Sequence, residues 1–298
     1  MNREAPNAGA VYAASLTPLD EALNINHERL SQHVRWLLAN GCDGVALMGT
    51  TGEANSFSVG ERKAAVEAVL DAGIAPDRLI VGTGCCAIPE TVELTNHALK
   101  CGVHDVLMLP PFYYKEVSDE GIFAAFDQVM QHVGSRLCRI YLYHFPHMSA
   151  VPFSDDLVGR LLEAFPVAGM KDSSGDYAHM VRMVRMFPKL KVFTGTERYL
   201  LDVLKAGGAG CITATVNVTC RKASRLANAW HGAHATAIQE ELTQVRTAIE
   251  QFPMIAALKS IMGQQSGDEY WYNMRPPNVP LSAVQAAALH TALRTCTI

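Results

Sequence analysis

Short apolar runs alternate along the chain with longer stretches whose apolar positions recur every three or four residues, the two periods of strand and amphipathic helix. The runs cover 11–16, 44–49, 79–84, 105–109, 139–144, 167–171, 191–194 and 210–214. Helical periodicity fills the intervals, most clearly at 61–70, 90–100, 119–133 and 155–165. Strands that alternate with helices imply parallel pairing through right-handed crossovers. Eight such units in one chain predict a closed (β/α)8 TIM barrel rather than an open sheet.

Local signals mark the ends of these elements. Ser58 stands three residues before Glu61 as a capping box, and Ser118 and Ser154 each precede acidic residues. A capping hydroxyl followed by acid suits the first turn, where free amides and the helix dipole favour negative charge. Gly73, Gly102 and the pair Gly207–Gly208 follow helices, where a left-handed stop is common. Beyond Cys220 the pattern predicts helices only, at 222–230, 235–251, 254–262 and 282–295. The organisation expected is a barrel over residues 1–221 and a C-terminal helical extension over 222–298.

Composition narrows the function. Across 298 residues, 49% are hydrophobic and 18% charged, a globular balance rather than a disordered one. The 25 basic and 29 acidic side chains give a net charge of −4 with no basic stripe, which argues against nucleic acid as a partner. No apolar run approaches the ~18 residues of a spanning helix, so no membrane partner is expected. Eight cysteines without a C-x-x-C are too few for a disulfide scaffold and fit a reducing cytoplasm. The opening segment has a weak apolar stretch and a single arginine, Arg3, and is not read as a secretory leader.

In a barrel of this class the reacting groups stand at the carboxyl ends of the strands. Of nine lysines, only Lys171 closes an apolar run, in Val-Ala-Gly-Met-Lys-Asp. If it faces the barrel interior, with Gly169 below leaving room, loss of hydration disfavours the charged form and frees a nucleophile for a ketone or aldehyde. The competing reading is an ion pair with Asp172 at the rim. Strand five ends in Tyr141-Leu142-Tyr143-His144-Phe145-Pro146, and alternation points Tyr141 and Tyr143 the same way. Tyr143 beside Lys171 would serve as a proton carrier; the alternative is a ring that fills the barrel. The turn Gly49-Thr50-Thr51-Gly52-Glu53 has amides and hydroxyls suited to a carboxylate, or simply caps a loop. His144 and His147 are three apart on a rim loop without a carboxylate or cysteine beside them, so no metal is assigned. Ser173-Ser174 lacks a nucleophile elbow, and Phe112-Tyr113-Tyr114 is an aromatic loop suited to packing or subunit contact.

Taken in order, G-T-T-G-E, P-P-F-Y-Y, Y-H-F-P and G-M-K-D resemble the dihydrodipicolinate synthase/N-acetylneuraminate lyase family over nearly the whole chain. The resemblance implies a (β/α)8 barrel with a helical tail, and a Schiff base between lysine and the ketone of pyruvate or another 2-oxo acid. It implies that Lys171 forms the imine and Tyr143 transfers protons. Thr50 and Thr51 would hold the 2-oxo acid carboxylate, with Thr51 in a hydroxyl relay to Tyr143. Tyr114 would complete that relay from a neighbouring subunit of a homotetramer, a dimer of dimers. Gly195 and Ile212 would line the pyruvate pocket. No cofactor is implied, because the lysine imine is the electron sink.

One departure bears on the substrate. Synthases of the lysine pathway carry an arginine in Y-N-x-P-x-R that binds the carboxylate of aspartate semialdehyde; here Met148 stands in its place. A thioether offers no charged, forked donor. The expectation is therefore a class I aldolase acting on a 2-keto-3-deoxy sugar acid or 4-hydroxy-2-oxo acid, with Thr196 and Glu197 contacting substrate hydroxyls. Two alternatives are the dihydrodipicolinate synthase reaction with another cation in place of the arginine, and a non-catalytic barrel that binds 2-oxo acids. The roles of His144 and His147 stay open.

Overall fold

A computed structural model describes residues 9–296. Its strands are β1 (Ala10–Ala14), β2 (Gly44–Leu47), β3 (Leu79–Gly82), β4 (Asp105–Met108), β5 (Arg139–His144), β6 (Val167–Asp172), β7 (Lys191–Thr194) and β8 (Gly210–Thr213). They pair in parallel in chain order, and β8 returns to β1 to close the barrel. All eight apolar runs thus become strands, and closure removes every sheet edge.

The helices α1 (His27–Ala39), α2 (Val59–Asp71), α3 (Ile88–Lys100) and α4 (Asp119–Val133) follow the first four strands. A single turn α5 (Pro146–Ser149) with α6 (Asp155–Ala164), then α7 (Tyr177–Met186), α8 (Leu200–Lys205) and α9 (Val216–Asn228), follow the rest. The expected caps are in place. Ser58 and Glu61 form the reciprocal capping box, and Ser118 and Ser154 accept from the amides of Gly121 and Leu157. α9 begins at Val216, six residues before the expected start at 222. The β-branched residues there weaken helix propensity, but burial of Val216, Val218 and Cys220 outweighs it. The boundary expected after residue 221 therefore falls inside this helix.

Strand alternation sorts the core into two layers. Ala46, Ile80, Leu107, Tyr141, Phe193 and Ile212 fill the barrel interior, while Val45, Ile140, Leu142, Met170 and Val192 pack outward against the helices. After the barrel come α10 (Ala235–Ile249), α11 (Met254–Ser266) and α12 (Ala283–Leu293). Leu16 joins Val245, Ile249, Leu258, Ile261 and Trp271 in a third cluster that seats this tail on the barrel. Among the described residues no helix is long and apolar enough to cross a membrane.

A buried ion pair fixes the tail over the mouth. Lys259 of α11 is 1% exposed, and its Nζ lies 2.5 Å from Glu53 Oε1 and donates to the Asn273 carbonyl at 2.9 Å. Burial pushes the Lys259 pKa down, and the Glu53 carboxylate opposes that shift. Removing one partner would strand a buried charge, which typically costs about 3–5 kcal/mol. Lys259→Ala is therefore expected to lower the free energy of urea unfolding by that order, seen as a lower midpoint, whereas the double change Glu53→Gln with Lys259→Met should recover much of the loss.

Candidate active site

Across the β5–β6 ladder Tyr143 is the register partner of Lys171, and His144 that of Asp172. Alternation therefore turns one pair into the barrel and the other toward the helices. Lys171 is 3% exposed, and its Nζ stands 4.3 Å from the centre of the Tyr143 ring. Among the described residues no carboxylate pairs with this nitrogen and no acceptor bonds it.

The ion pair with Asp172, left open by the sequence, does not form. Asp172 is fully buried on the opposite face, where its carboxylate accepts from His179 Nδ1 at 2.5 Å and from the Ser174 amide and hydroxyl at 2.9 and 2.6 Å. Burial works against the charged carboxylate, but those hydrogen bonds prevail and hold its pKa below the usual value. His144 stacks on His179 with ring centres 4.4 Å apart and accepts from the Phe153 amide at 3.3 Å. His147 points elsewhere and donates to the Ser174 carbonyl. The histidines paired by sequence spacing thus diverge, and the nearest donor set is His144, Asp172 and His179. The His179–Asp172 hydrogen bond brings its two atoms closer than two ligands of one zinc ion would stand.

Two strand-end glycines matter through close approach. A Cβ on Gly169 would sit 2.7 Å from the Tyr141 ring and from the Lys191 carbonyl, so the space below Lys171 is taken by that ring rather than left open. A Cβ on Gly195 would clash with Ser173 Oγ and lie 2.8 Å from the Asp172 carbonyl. Its amide also donates to that carbonyl, at 2.6 Å.

Above the amine opens a cavity of about 840 Å³, bounded by the strand ends and the tail. Lys171, Tyr143, Thr50, Thr51, Gly195 and Thr196 all reach it. The Tyr143 hydroxyl donates to Thr50 Oγ1 at 3.3 Å. The relay contact expected from Thr51 falls instead to Thr50, because consecutive side chains of the turn point in different directions. Among the described residues the amides of Thr50 and Thr51 find no acceptor. Met148 is 64% exposed on α5 and lines the cavity.

Two expected positions, Ile212 and Glu197, lie elsewhere. Ile212 is fully buried in the barrel interior, below the cavity wall. Glu197 turns away from the cavity and accepts from Thr213 Oγ1 at 2.8 Å, Thr219 Oγ1 at 3.1 Å and Thr215 Oγ1. A buried carboxylate without such donors would be costly, so the threonines of β8 and α9 draw it inward. Tyr114 is 76% exposed and lies outside the cavity of its own chain, with its ring edge-on to Tyr113.

Sequence reasoning missed several wall residues. Phe145 continues the inward alternation of Tyr141 and Tyr143 and stacks on Tyr143 at 5.6 Å, a signal present in the sequence. Arg198, Arg246, Glu250, Met254 and Ile255 also line the cavity. The last four belong to the tail, and no local pattern announces them.

The sequence model described as the dihydrodipicolinate synthetase family matches residues 7–296. An uncharacterized DapA-like lyase of Chloroflexus aurantiacus is 34% identical over 286 residues, covering 95% of each chain. Dihydrodipicolinate synthase from Agrobacterium tumefaciens superposes with a TM-score of 0.90 at 32% identity, over 97% of this chain and 99% of that one. The prophage protein YagE of E. coli, described as a member of the dihydrodipicolinic acid synthase family and solved with pyruvate, superposes with a TM-score of 0.88 at 25% identity, over 96% and 97% of the two chains.

The buried histidines imply a pH dependence of stability. Burial lowers His144 to about 4 from an ordinary 6.5, and it does the same to His33, partly opposed there by the hydrogen bond with Asn217. Below 6.5 the unfolded chain takes up protons that the folded chain refuses until about 4, so stability is full above 6.5 and declines between those values. Each group accounts for about 3 kcal/mol over that window. Urea unfolding at a series of pH values should show the decline, and His144→Asn should flatten part of it.

Proposed function

This chain belongs to the dihydrodipicolinate synthetase family, a family of Schiff-base-forming 2-oxo acid lyases, and on that premise we propose that it makes or breaks a carbon–carbon bond at C3 of pyruvate through an imine on Lys171. The observation that carries the reading is the buried, unpaired amine of Lys171 over the Tyr143 ring, with the Tyr143 hydroxyl bonded to Thr50. An ammonium kept for structure would be expected to have a carboxylate partner, as Lys259 has.

The steps follow from these positions. The 2-oxo acid carboxylate is held by the free amides of Thr50 and Thr51 and by the Thr51 hydroxyl. The neutral Lys171 amine adds to the C2 carbonyl, and Tyr143 passes a proton to the departing oxygen, so that water leaves and a protonated imine forms. In cleavage, the C4 hydroxyl gives its proton to the Tyr143 oxygen, the C3–C4 bond breaks, and its electron pair enters the iminium. The aldehyde leaves, the enamine is protonated at C3, and water releases pyruvate. The iminium does the electron withdrawal for which other aldolases need a divalent metal, so no metal or further cofactor is required. Thr50 relays protons from Tyr143, and Gly195 lines the pocket of the 2-oxo acid.

Catalysis is assigned to residues 1–221, with 222–298 as the wall above. We assign a homotetramer in which Tyr114, unused within its own chain, reaches a neighbour's relay. Eight free thiols are in keeping with the cytoplasm. The competing reaction, condensation with aspartate semialdehyde, carries the name of the Agrobacterium relative, but Met148 gives its carboxylate no cation. A barrel that only binds 2-oxo acids would have no use for an unpaired buried amine.

Borohydride added with pyruvate is expected to fix a reduced adduct on Lys171, located by peptide mass spectrometry. Lys171→Ala should abolish it, and Tyr143→Phe should slow its formation by about 10²–10⁴ while leaving the circular dichroism unchanged. An unmodified Lys171 after this treatment would overturn the mechanism.

A further inference from the structure

A three-carbon acid occupies only a small part of a cavity of about 840 Å³, so most of the wall faces the second substrate. Apart from Lys171, the charged groups on that wall already have partners. Arg198 donates to Glu250 through Nε at 3.0 Å and through Nη2. Arg246 reaches Glu250 through Nε at 2.5 Å, and its Nη1 lies against Thr213, Thr215 and the buried Glu197. Two guanidiniums therefore meet two carboxylates, and a carboxylate on the substrate would have to compete with Glu250 for them.

Three polar side chains of the wall are similarly engaged, while among the described residues the Ser173 and Tyr199 hydroxyls have no hydrogen-bond partner. Ser174 Oγ donates to Asp172, Thr196 Oγ1 accepts from the Arg198 amide, and Asn278 Nδ2 donates to Glu53. A polyhydroxylated acceptor would find few free partners here, and each of its hydroxyls buried without one would cost about 1–3 kcal/mol. Toward α5 and α11 the surface is largely apolar. It starts at Phe145, stacked on the catalytic phenol, and continues through Met148, Tyr199, Met254 and Ile255. Thioethers adapt to an irregular apolar partner, and aromatic faces suit a planar one.

We propose that the aldehyde exchanged with pyruvate is uncharged and carries an apolar body, an aryl group in the simplest case, that lies along Phe145, Met148, Tyr199, Met254 and Ile255. This rests on the Schiff-base reading and specifies its second substrate. The aldehyde carbonyl faces the enamine carbon on Lys171, and the apolar body extends toward α5 and α11. New C3–C4 bond formation consumes the enamine electron pair, Tyr143 protonates the aldehyde oxygen, and water then frees the 4-hydroxy-2-oxo acid product.

The test is a set of condensations of pyruvate with benzaldehyde, glyceraldehyde and succinic semialdehyde, following the product by liquid chromatography. The expected result is a kcat/KM for benzaldehyde at least about 100-fold above that for succinic semialdehyde and about tenfold above that for glyceraldehyde. Met148→Arg should shift the ratio of succinic semialdehyde to benzaldehyde at least tenfold toward the charged acceptor. Preference of the unaltered enzyme for either polar acceptor, or no product from benzaldehyde, overturns the inference. Borohydride trapping with pyruvate alone on the same preparation separates the causes. An adduct on Lys171 without benzaldehyde condensation sinks only the acceptor class, whereas no adduct removes the Schiff-base reading and the inference with it.

Discussion

The cross-strand register of β5 and β6 is the constraint on which the site depends. It places Tyr143 opposite Lys171 and His144 opposite Asp172, and the two-residue alternation of a strand sends these pairs to opposite faces. Inside the barrel the amine meets an aromatic face instead of an anion. Behind the sheet, the carboxylate next to it in sequence is fully occupied by His179 and Ser174. One residue of slip would exchange the two faces, bringing the carboxylate to the cavity and the amine among the helices.

The two buried lysines show how surroundings decide the fate of an amine. Lys259 is neutralised by Glu53 and serves to seat the tail. Among the described residues Lys171 has no such partner, and it opens onto a cavity. Glu53 also ties chemistry to architecture: it closes the Gly-Thr-Thr-Gly turn and accepts from Asn278 of the tail. The Gly-Thr-Thr-Gly turn, proposed to receive the 2-oxo acid, and the tail segment above it are thereby held by one carboxylate.

Much of this was legible in advance. The eight apolar runs, the caps at Ser58, Ser118 and Ser154, and the helical tail follow from local period and local hydrogen bonding, which short stretches of chain specify by themselves. The Lys171–Tyr143 pair was legible because strand neighbours in a parallel barrel are consecutive in the chain. Phe145 obeys the same alternation and could have been found the same way. Glu197 and Ile212 were misplaced for a different reason. Each stands near a strand end, but its direction is set by partners far along the chain, the threonines 213–219 in one case and the layer packing of the barrel in the other.

By itself the sequence determined which residues end each strand, where helices start and stop, and that an amine, a phenol and two threonines stand at the top of a barrel. Those features depend on backbone period and on neighbours within a few positions. Only the tertiary structure decided that Asp172 turns away from Lys171, that Thr50 rather than Thr51 meets the phenol, and that α10 and α11 bring Arg246, Glu250, Met254 and Ile255 over the mouth. These outcomes depend on barrel closure and on a buried ion pair between residues 53 and 259, contacts whose energy no local segment contains.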